Sequence, residues 1–505
     1  MSKNGIIKSV SIIMVCTIAF KILGFIREVL LSFFFGTSNI ADAYLVSQTI
    51  PSVVFEFVGA GVTACFIPIY LKIKNREDGE AANRFVNTIT TLTLVFSLII
   101  IAIVIIFAYP VVKVFASGFT GETLSLTIGF TRIGIWSLIF STFVFIYGAY
   151  LQANENFEAL SISGIIVGAG TLLAIVLGAT VNIWLISIVS VVAVGLRLIL
   201  IFPETKKTGL HTKVDFDWKN KYVLEYFSLM VPVIVGTSIN DLNTLVDRTV
   251  ASNMAVGGIA ALSYANSMLQ LAIGGIVQPI STVIFPKLSS KINCNADKDA
   301  IVMLERTNRA LQFFLLPITV GLLLYSGAIV DLLFGRGAFD SNSLKMTSEA
   351  LRIYGISLCF IGTREILTKY FYSKGDSKIP MVNSSIGLVI NIILNIVLSR
   401  IFGLNGLALA TTIAAIVTTL LLYMNLVRDS SINNIIVLKD YIKIIVNCII
   451  MGILSYIFFN ALGNNKYTIV IVVLFAAILY FGLSLTTKIE ILNGVTKIIK
   501  DRKKL

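Results

Sequence analysis

Histidine occurs once in 505 residues, cysteine five times, and Asp, Glu, Lys and Arg together supply only 13%. Each shortage excludes something. Cys16, Cys65, Cys294, Cys359 and Cys448 stand singly, without a CxxC pair, and His211 sits alone in a loop. Disulfide scaffolds and Cys/His metal centres are therefore not expected. No Ser/His/Asp set, Walker A lysine motif or GxGxxG after a strand is present, which argues against an enzyme and against ATP as the energy source. A cleavable signal is also lacking. Lys21 and Arg27 interrupt the first apolar stretch, and no small-x-small site follows a short apolar core.

What is abundant is apolar sequence. Hydrophobic residues make up 56% of the chain and the mean hydropathy is +0.91, whereas soluble domains carry roughly 25% charged residues. Apolar runs of about 20 residues recur throughout, each long enough to cross a hydrocarbon layer of roughly 30 Å. The runs are continuous rather than alternating, so helices are expected in place of a barrel. The fold class is thus an all-α polytopic membrane protein. Fourteen spans are predicted, at 6–34, 40–70, 84–112, 125–151, 158–178, 181–203, 222–250, 257–288, 307–333, 346–373, 379–400, 403–427, 438–460 and 466–487.

The net charge of +13 follows a loop pattern rather than a nucleic-acid-binding stripe. With the N-terminus inside, Lys72, Lys74, Arg76, Lys206, Lys207, Lys213, Lys219, Lys221, Lys287, Lys291, Lys298, Lys374 and Lys378 all fall in inner loops. The tail bearing Lys497, Lys500, Arg502, Lys503 and Lys504 joins them. Outer loops hold only Lys113, Arg336, Lys345, Lys466 and few others. The positive-inside rule therefore places both termini in the cytoplasm.

An internal repeat appears at an offset of about 220 residues. The segment TRIGIWSLIF from Thr131 aligns with LRIYGISLCF from Leu351, setting Arg132 over Arg352, and Pro68 corresponds to Pro286. Each copy holds six spans, an even number, so both have the same orientation and a pseudo-two-fold along the membrane normal is expected. Spans 13 and 14 lie outside the repeat. Span 2 (Pro51, Gly59, Gly61, Pro68) and span 8 (Gly274, Gly275, Pro279, Pro286) are both rich in helix breakers. Breaks at matching places in two halves point to a central site or hinge.

Ionisable residues inside spans are costly unless they face a cavity or a partner. Span 1 holds Lys21, Arg27 and Glu28; span 2 holds Asp42 and Glu56; span 7 holds Asp241, Asp247 and Arg248. Lys21 and Arg27 lie within about 120 degrees of each other on a helix. They suit a diphosphate held in a water-filled cleft; the plainer alternative is a structural ion network of Arg27, Glu28 and Asp42. Asp247 and Arg248 can pair with the first half. Alternatively, Asp247 can join Asn391, Asn395 and Thr411 as oxygen ligands for Na⁺, against the plainer reading of the asparagines as interhelical hydrogen bonds. Arg364, Glu365 and the repeat-related Arg132 and Arg352 could equally be structural.

The segment FKILGFIREVLLSFFFGTSNIADAYLVSQTIP, from Phe20, resembles the opening of the MurJ lipid II flippase family, within the multidrug/oligosaccharidyl-lipid/polysaccharide exporter superfamily. LFGRGAF at Leu333–Phe339, FYSKGDSKIP at Phe371–Pro380 and GLNGLALATT at Gly403–Thr412 are similar to later signatures of that family. The resemblance implies a first lobe over 1–205 and a second over 206–430. It further implies a third region, 431–505, whose spans 13 and 14 form a groove for a polyprenyl tail ahead of the basic tail. By position, the family's span-1 cations fall on Lys21 and Arg27 and its span-2 acid on Asp42. The family's basic residue after the span-2 proline is Phe55 here, followed by Glu56, and its charged span-8 motif is reduced to Asn266, Ser267 and Gln270.

The expected function is translocation of lipid II from the cytoplasmic to the outer leaflet of a bacterial cytoplasmic membrane by alternating access, for cell-wall synthesis. Lys21, Arg27, Glu28, Asp42, Glu56 and Arg248 are the candidate head-group residues. The expected partners are the polyprenyl-diphosphate-linked glycan and membrane lipids, with no nucleic acid and no cofactor. A monomer driven by Na⁺ or the membrane potential is expected. The alternatives are a flippase for a capsule or O-antigen-type lipid-linked oligosaccharide, a cation-coupled multidrug exporter, and a membrane glycosyltransferase or ligase.

Overall fold

The computed structural model describes residues 3–429 and 435–489; the side chains of 3–14, 55–58, 60–61, 63–64, 232, 235–241, 429 and 435–439 lie outside that description. No strand occurs among the described residues. The basic tail used for the topology argument, and the side chains of Glu56 and Asp241, therefore fall outside it.

The helices are α1 (Lys3–Phe35), α2 (Asn39–Gly61), α3 (Ile67–Arg76), α4 (Gly79–Ile106), α5 (Ala108–Phe115), α6 (Gly121–Gly134), α7 (Ser137–Ala153), α8 (Glu158–Thr180), α9 (Leu185–Leu196) and α10 (Leu198–Lys207). They continue as α11 (Lys221–Ala251), α12 (Gly258–Ala272), α13 (Gln278–Asn293), α14 (Asp297–Phe334), α15 (Ser341–Ser373), α16 (Lys378–Phe402), α17 (Leu404–Asp429), α18 (Ile435–Ala461) and α19 (Thr468–Thr486). Among the described residues, counting helices joined by a bend or a π turn as one rod gives fourteen rods, consistent with the predicted spans. Among the described residues, nine helices are long and apolar enough to cross a bilayer, ten with the bent pair α6 and α7. The other four rods are those carrying Arg27 and Glu28, Asp42, Asp247 and Arg248, and Arg352 and Arg364 within the span.

Local chemistry sets the ends. Asp78 caps α4 by accepting from the Ala81 N–H at 2.7 Å, and Asp340 caps α15 through Ser343 at 2.8 Å. Gly36 and Gly403 stop α1 and α16 with positive φ of 57° and 56°. The breaks expected in spans 2 and 8 are π turns, Val62–Phe66 between α2 and α3 and Ile273–Val277 between α12 and α13. Counted from the start of each rod, Pro68 and Pro286 do fall at nearly the same depth. The π turn, however, comes after 23 residues in the first copy and after 15 in the second. Relative to it, Pro68 matches Pro279, each at the second position of the following helix. The two breaks are thus about two helical turns out of register.

The chain divides into two compact units, Met1–Ala260 and Ala261–Leu505. In the first, α1 packs on α8, α8 on α9, α2 on α6 and α11, and α4 on α7. Its core is a ladder of aromatic rings, Phe66, Tyr70, Phe85, Tyr150 and Tyr226. The rod α11, which opens the second sequence repeat, belongs to this unit. In the second, α14 packs on α15, α16 on α17, α15 on α17, and α18 on both α14 and α19. Large apolar side chains remain outside both units, with Ile199 64% and Ile478 74% exposed, as befits surfaces wetted by lipid.

Candidate functional site

Arg27, Glu28, Asp42, Asp247 and Arg248, from spans 1, 2 and 7, meet inside the first unit. Arg27 and Glu28, neighbours on α1, form an ion pair in which Glu28 is 4% exposed and Arg27 37%. Asp42, in the first turn of α2, is 2% exposed. Its two carboxylate oxygens accept the N–H groups of Gly257 at 2.7 Å and Ala260 at 2.8 Å. These donors belong to the start of α12, where the first N–H groups have no partner within the helix. Gly257 has φ +76°, and a Cβ there would collide with the Thr37 carbonyl. The turn leading into α12 therefore fits onto the α1–α2 connection only with glycine at that position.

Arg248, in the last turn of α11, lies in the electrostatic reach of Glu28, Asp42 and Asp247 as well as of Arg27. The Asn243 amide is 3.5 Å from an Asp247 oxygen, and the Tyr44 hydroxyl, in reach of Arg27, sits 3.5 Å from Ser190. The cluster therefore sets two guanidinium groups among three carboxylates. It is less uniformly cationic than the span-1 residues alone suggested. Arg27 Nε, Glu28 Oε2, and Arg248 Nε and Nη1 are buried without a hydrogen-bond partner. Natural interiors rarely leave such groups unmet unless water, an ion or a ligand completes them.

Of the predicted head-group residues, the structure brings together Arg27, Glu28, Asp42 and Arg248, with Asp247 beside them. Lys21 lies partly buried on α1, six residues before Arg27. Asp42 has both oxygens on the α12 turn, so here it acts as a cap rather than as an open acceptor. Of the predicted Na⁺ ligands, Asn395 Nδ2 donates to Asn391 Oδ1 at 2.7 Å, and Asn391 Nδ2 to Thr411 Oγ1 at 3.3 Å. That is the interhelical hydrogen-bonding alternative, joining α16 to α17 within the second unit, whereas Asp247 belongs to the first. Among the described residues no group of three or more His, Cys, Asp or Glu side chains could hold a metal ion. Arg132 and Arg352 both sit on exposed faces of their helices.

The second unit contributes an apolar cavity of about 310 Å³ between α14, α18 and α19, lined by Phe313, Pro317, Tyr325, Met451, Ala477 and Tyr480 among others. Below it, Arg309 of α14 is bound to Asp440 of α18 at 2.8 Å, both nearly buried. Asn308 donates to the Tyr441 hydroxyl beside them at 2.8 Å. This clamp was missed from sequence, as was Arg197 of α10's junction with α9. The signal was there: Asp440 and Arg197 are ionisable residues inside predicted apolar spans. At one end of the first unit, Lys72 binds Glu225 at 2.7 Å and Lys221 binds Glu77 at 3.1 Å. The Tyr222 hydroxyl and Lys221 hold the Glu77 carboxyl below its ordinary range.

Long helical rods in two units, with ionisable residues gathered inside the spans, define a polytopic membrane transporter. A multidrug resistance transporter of the multidrug and toxic compound extrusion family, from the MOP superfamily, shares the fold at TM-score 0.66 and 14% identity, over 82% of this chain and 96% of that one. A solved lipid II flippase MurJ in an inward closed conformation is nearer in fold, at TM-score 0.84 and 24% identity over 94% and 98%. The family model described as lipid II flippase MurJ matches residues 31–480, and the chain belongs to that family. Relatives include a probable lipid II flippase MurJ of Rickettsia prowazekii, 27% identical over 86% of both chains. A lipid II flippase MurJ of Burkholderia cenocepacia is 26% identical over 81% of both.

Proposed function

We propose that this chain, as a member of the lipid II flippase family, carries the lipid-linked peptidoglycan precursor from the cytoplasmic to the outer leaflet of a bacterial cytoplasmic membrane. The observation that carries the reading is the set of unmet guanidinium donors on Arg27 and Arg248, buried inside spans. Guanidinium presents a planar fork matched to phosphate oxygens. A diphosphate crossing hydrocarbon without such a path would meet a prohibitive desolvation cost. In this mechanism Arg27 and Arg248 bind the diphosphate, Lys21 adds charge one to two turns away, and Glu28 and Asp247 hold the arginines when the site is empty. Glu56 of α2 is kept in the proposed site on the sequence pattern alone. The polyprenyl tail stays in the apolar cavity beside α18 and α19, within region 431–505, while lobes 1–205 and 206–430 alternate in access.

In this reading both termini are cytoplasmic, which puts Lys72, Lys74, Lys206, Lys207 and Lys221 on the inner side. The protein works as a monomer, binds no nucleic acid and makes no covalent change in its substrate. Energy comes from Na⁺ or the membrane potential. The hydrogen-bonded Asn391, Asn395 and Thr411, with Asp247, remain the proposed Na⁺ ligands. A second reading, a flippase for a different polyprenyl-diphosphate glycan, is favoured by the uncharged Asn266, Ser267 and Gln270 on α12.

The test is leaflet-resolved lipid II accessibility in cells depleted of their own flippase and supplied with this chain. Wild type should restore outer-leaflet lipid II, and Arg27→Ala and Arg248→Ala should each lower the rate by about a hundredfold, the loss of one charge-assisted phosphate contact. Failure of stably inserted wild type to restore it would favour the second reading. Normal rates in both arginine variants would sink the site assignment.

A further inference from the structure

Arg197 lies inside a span of the first unit, and the mechanism above leaves its charge unused. Arg27 and Arg248 face carboxylates. Arg197, at the junction of α9 and α10, has a single protein partner among the described residues, the Ser163 hydroxyl of α8, which accepts from its Nε at 3.2 Å. That hydroxyl already donates to the Leu160 carbonyl at 2.7 Å, so the contact is neutral. Among the described residues the remaining guanidinium donors have no protein acceptor. An unpaired arginine within a span is costly, and such residues mark sites for a polar ligand.

The surroundings show what that ligand is. Arg197 lines two cavities at once. One, of about 350 Å³, lies between α1 and α8 and is walled by Cys16, Thr17, Phe20, Ser161, Gly164 and Val167. The other, of about 150 Å³, lies between α7 and α8 and includes Gln152 and Phe145. The larger is in the range of small-ligand sites, roughly 300–1,000 Å³. Its walls are amphipathic, with Thr17, Ser161 and Arg197 beside Phe20 and Val167. Arg197 lies ten residues before Lys207, about 15 Å along the rod. This places the cavity toward the end of the unit that carries Lys72, Lys74, Lys206 and Lys207. A free phosphate would leave Phe20 and Val167 uncovered, and a hydrocarbon chain alone would leave the guanidinium unmet.

We infer that the cavity between α1 and α8 is a second anionic-lipid site, in which Arg197 binds the phosphate of a membrane lipid whose chain lies along Phe20 and Val167. Two sources share this chemistry, an anionic phospholipid and the diphosphate lipid that the family carries. The site is separate from the Arg27–Arg248 cluster and stands whether or not the flippase reading holds.

Native mass spectrometry of the full chain, released from nanodiscs of equal phosphatidylglycerol and phosphatidylcholine, tests it. Wild type should retain one phosphatidylglycerol in preference to phosphatidylcholine, and Arg197→Gln should lower that retention by about tenfold, with Arg197→Lys intermediate. Gly164→Leu keeps the arginine but fills the cavity, since the Gly164 Cβ position is open apart from Phe20 at 3.6 Å; it should lose the lipid as well. Added lipid II that displaces the phosphatidylglycerol identifies the diphosphate lipid as the occupant, and no displacement identifies a resident phospholipid. Equal retention by folded Arg197→Gln and wild type, or equal retention of the two phospholipids by wild type, would overturn the inference.

Discussion

Buried arginine meets two fates in this molecule. In the first unit Arg27 and Arg248 sit among Glu28, Asp42 and Asp247 yet keep buried donors without acceptors. In the second, Arg309 also keeps its Nε without an acceptor, but its Nη1 is tied to Asp440 at 2.8 Å, with Asn308 and Tyr441 bonded alongside. The difference separates holding from binding. The second-unit pair fastens α18 to α14 near one end of an apolar cavity. The first-unit cluster spends less of its charge on itself. Within the second unit Asn391, Asn395 and Thr411 bond to one another as neutral groups, and the cavity beside α18 and α19 is apolar. In the proposed function the first unit serves the charged head group and the second the hydrocarbon tail.

The largest effect is expected from breaking the clamp. Arg309→Met or Asp440→Leu alone should cost about 3–5 kcal/mol by stranding the other charge, whereas the double variant should recover most of it. Thermal unfolding in detergent measures both. A double variant that folds and flips lipid II normally would confirm that the clamp only holds, in contrast to Arg27. Next is Asp42→Ala, which removes two hydrogen bonds from a buried carboxylate and should cost about 2 kcal/mol. Asp42→Asn keeps one acceptor and should cost less. Unchanged melting in Asp42→Ala would show that the α12 cap contributes nothing.

A smaller effect is expected on the tail side. Ala477→Phe, filling the cavity beside Tyr480, should slow flipping of full-length lipid II by about tenfold, the equivalent of roughly two buried methylene groups. A short-tailed analogue should be little affected, and equal slowing of both would separate the cavity from the tail. The smallest effect is at the rim. Glu77 is held below its ordinary value of 4.5 by Tyr222 and Lys221, so its contribution is present above that pH and fades as pH falls through the lowered value. The melting gap between wild type and Glu77→Gln should therefore close on acidification, and a gap that widened would reverse the assignment.

Much of this was legible in the linear chain because a bilayer imposes simple rules. A span must be long, apolar and internally hydrogen-bonded, so the helices and their approximate limits follow from run length. The charges of spans 1, 2 and 7 announced themselves by being out of place. The clamp was harder to see. Arg309 and Asp440 are 131 residues apart, and nothing in either run names the other. Arg197 showed only as a lone charge inside a predicted span, which reads as snorkelling until its cavities are visible.

The amino-acid order alone determined the solvent, the helical class, the repeat and the family, since each depends on composition or local pattern. Tertiary structure decided the rest. It turned Asp42 from a candidate ligand into a helix cap, and it bonded the asparagines to one another and to Thr411. It also brought Arg248 to the span-1 charges and left Arg197 facing open space. The physical reason is that a polar side chain's role depends on which partners reach it, and reach is a property of packing rather than of spacing along the chain.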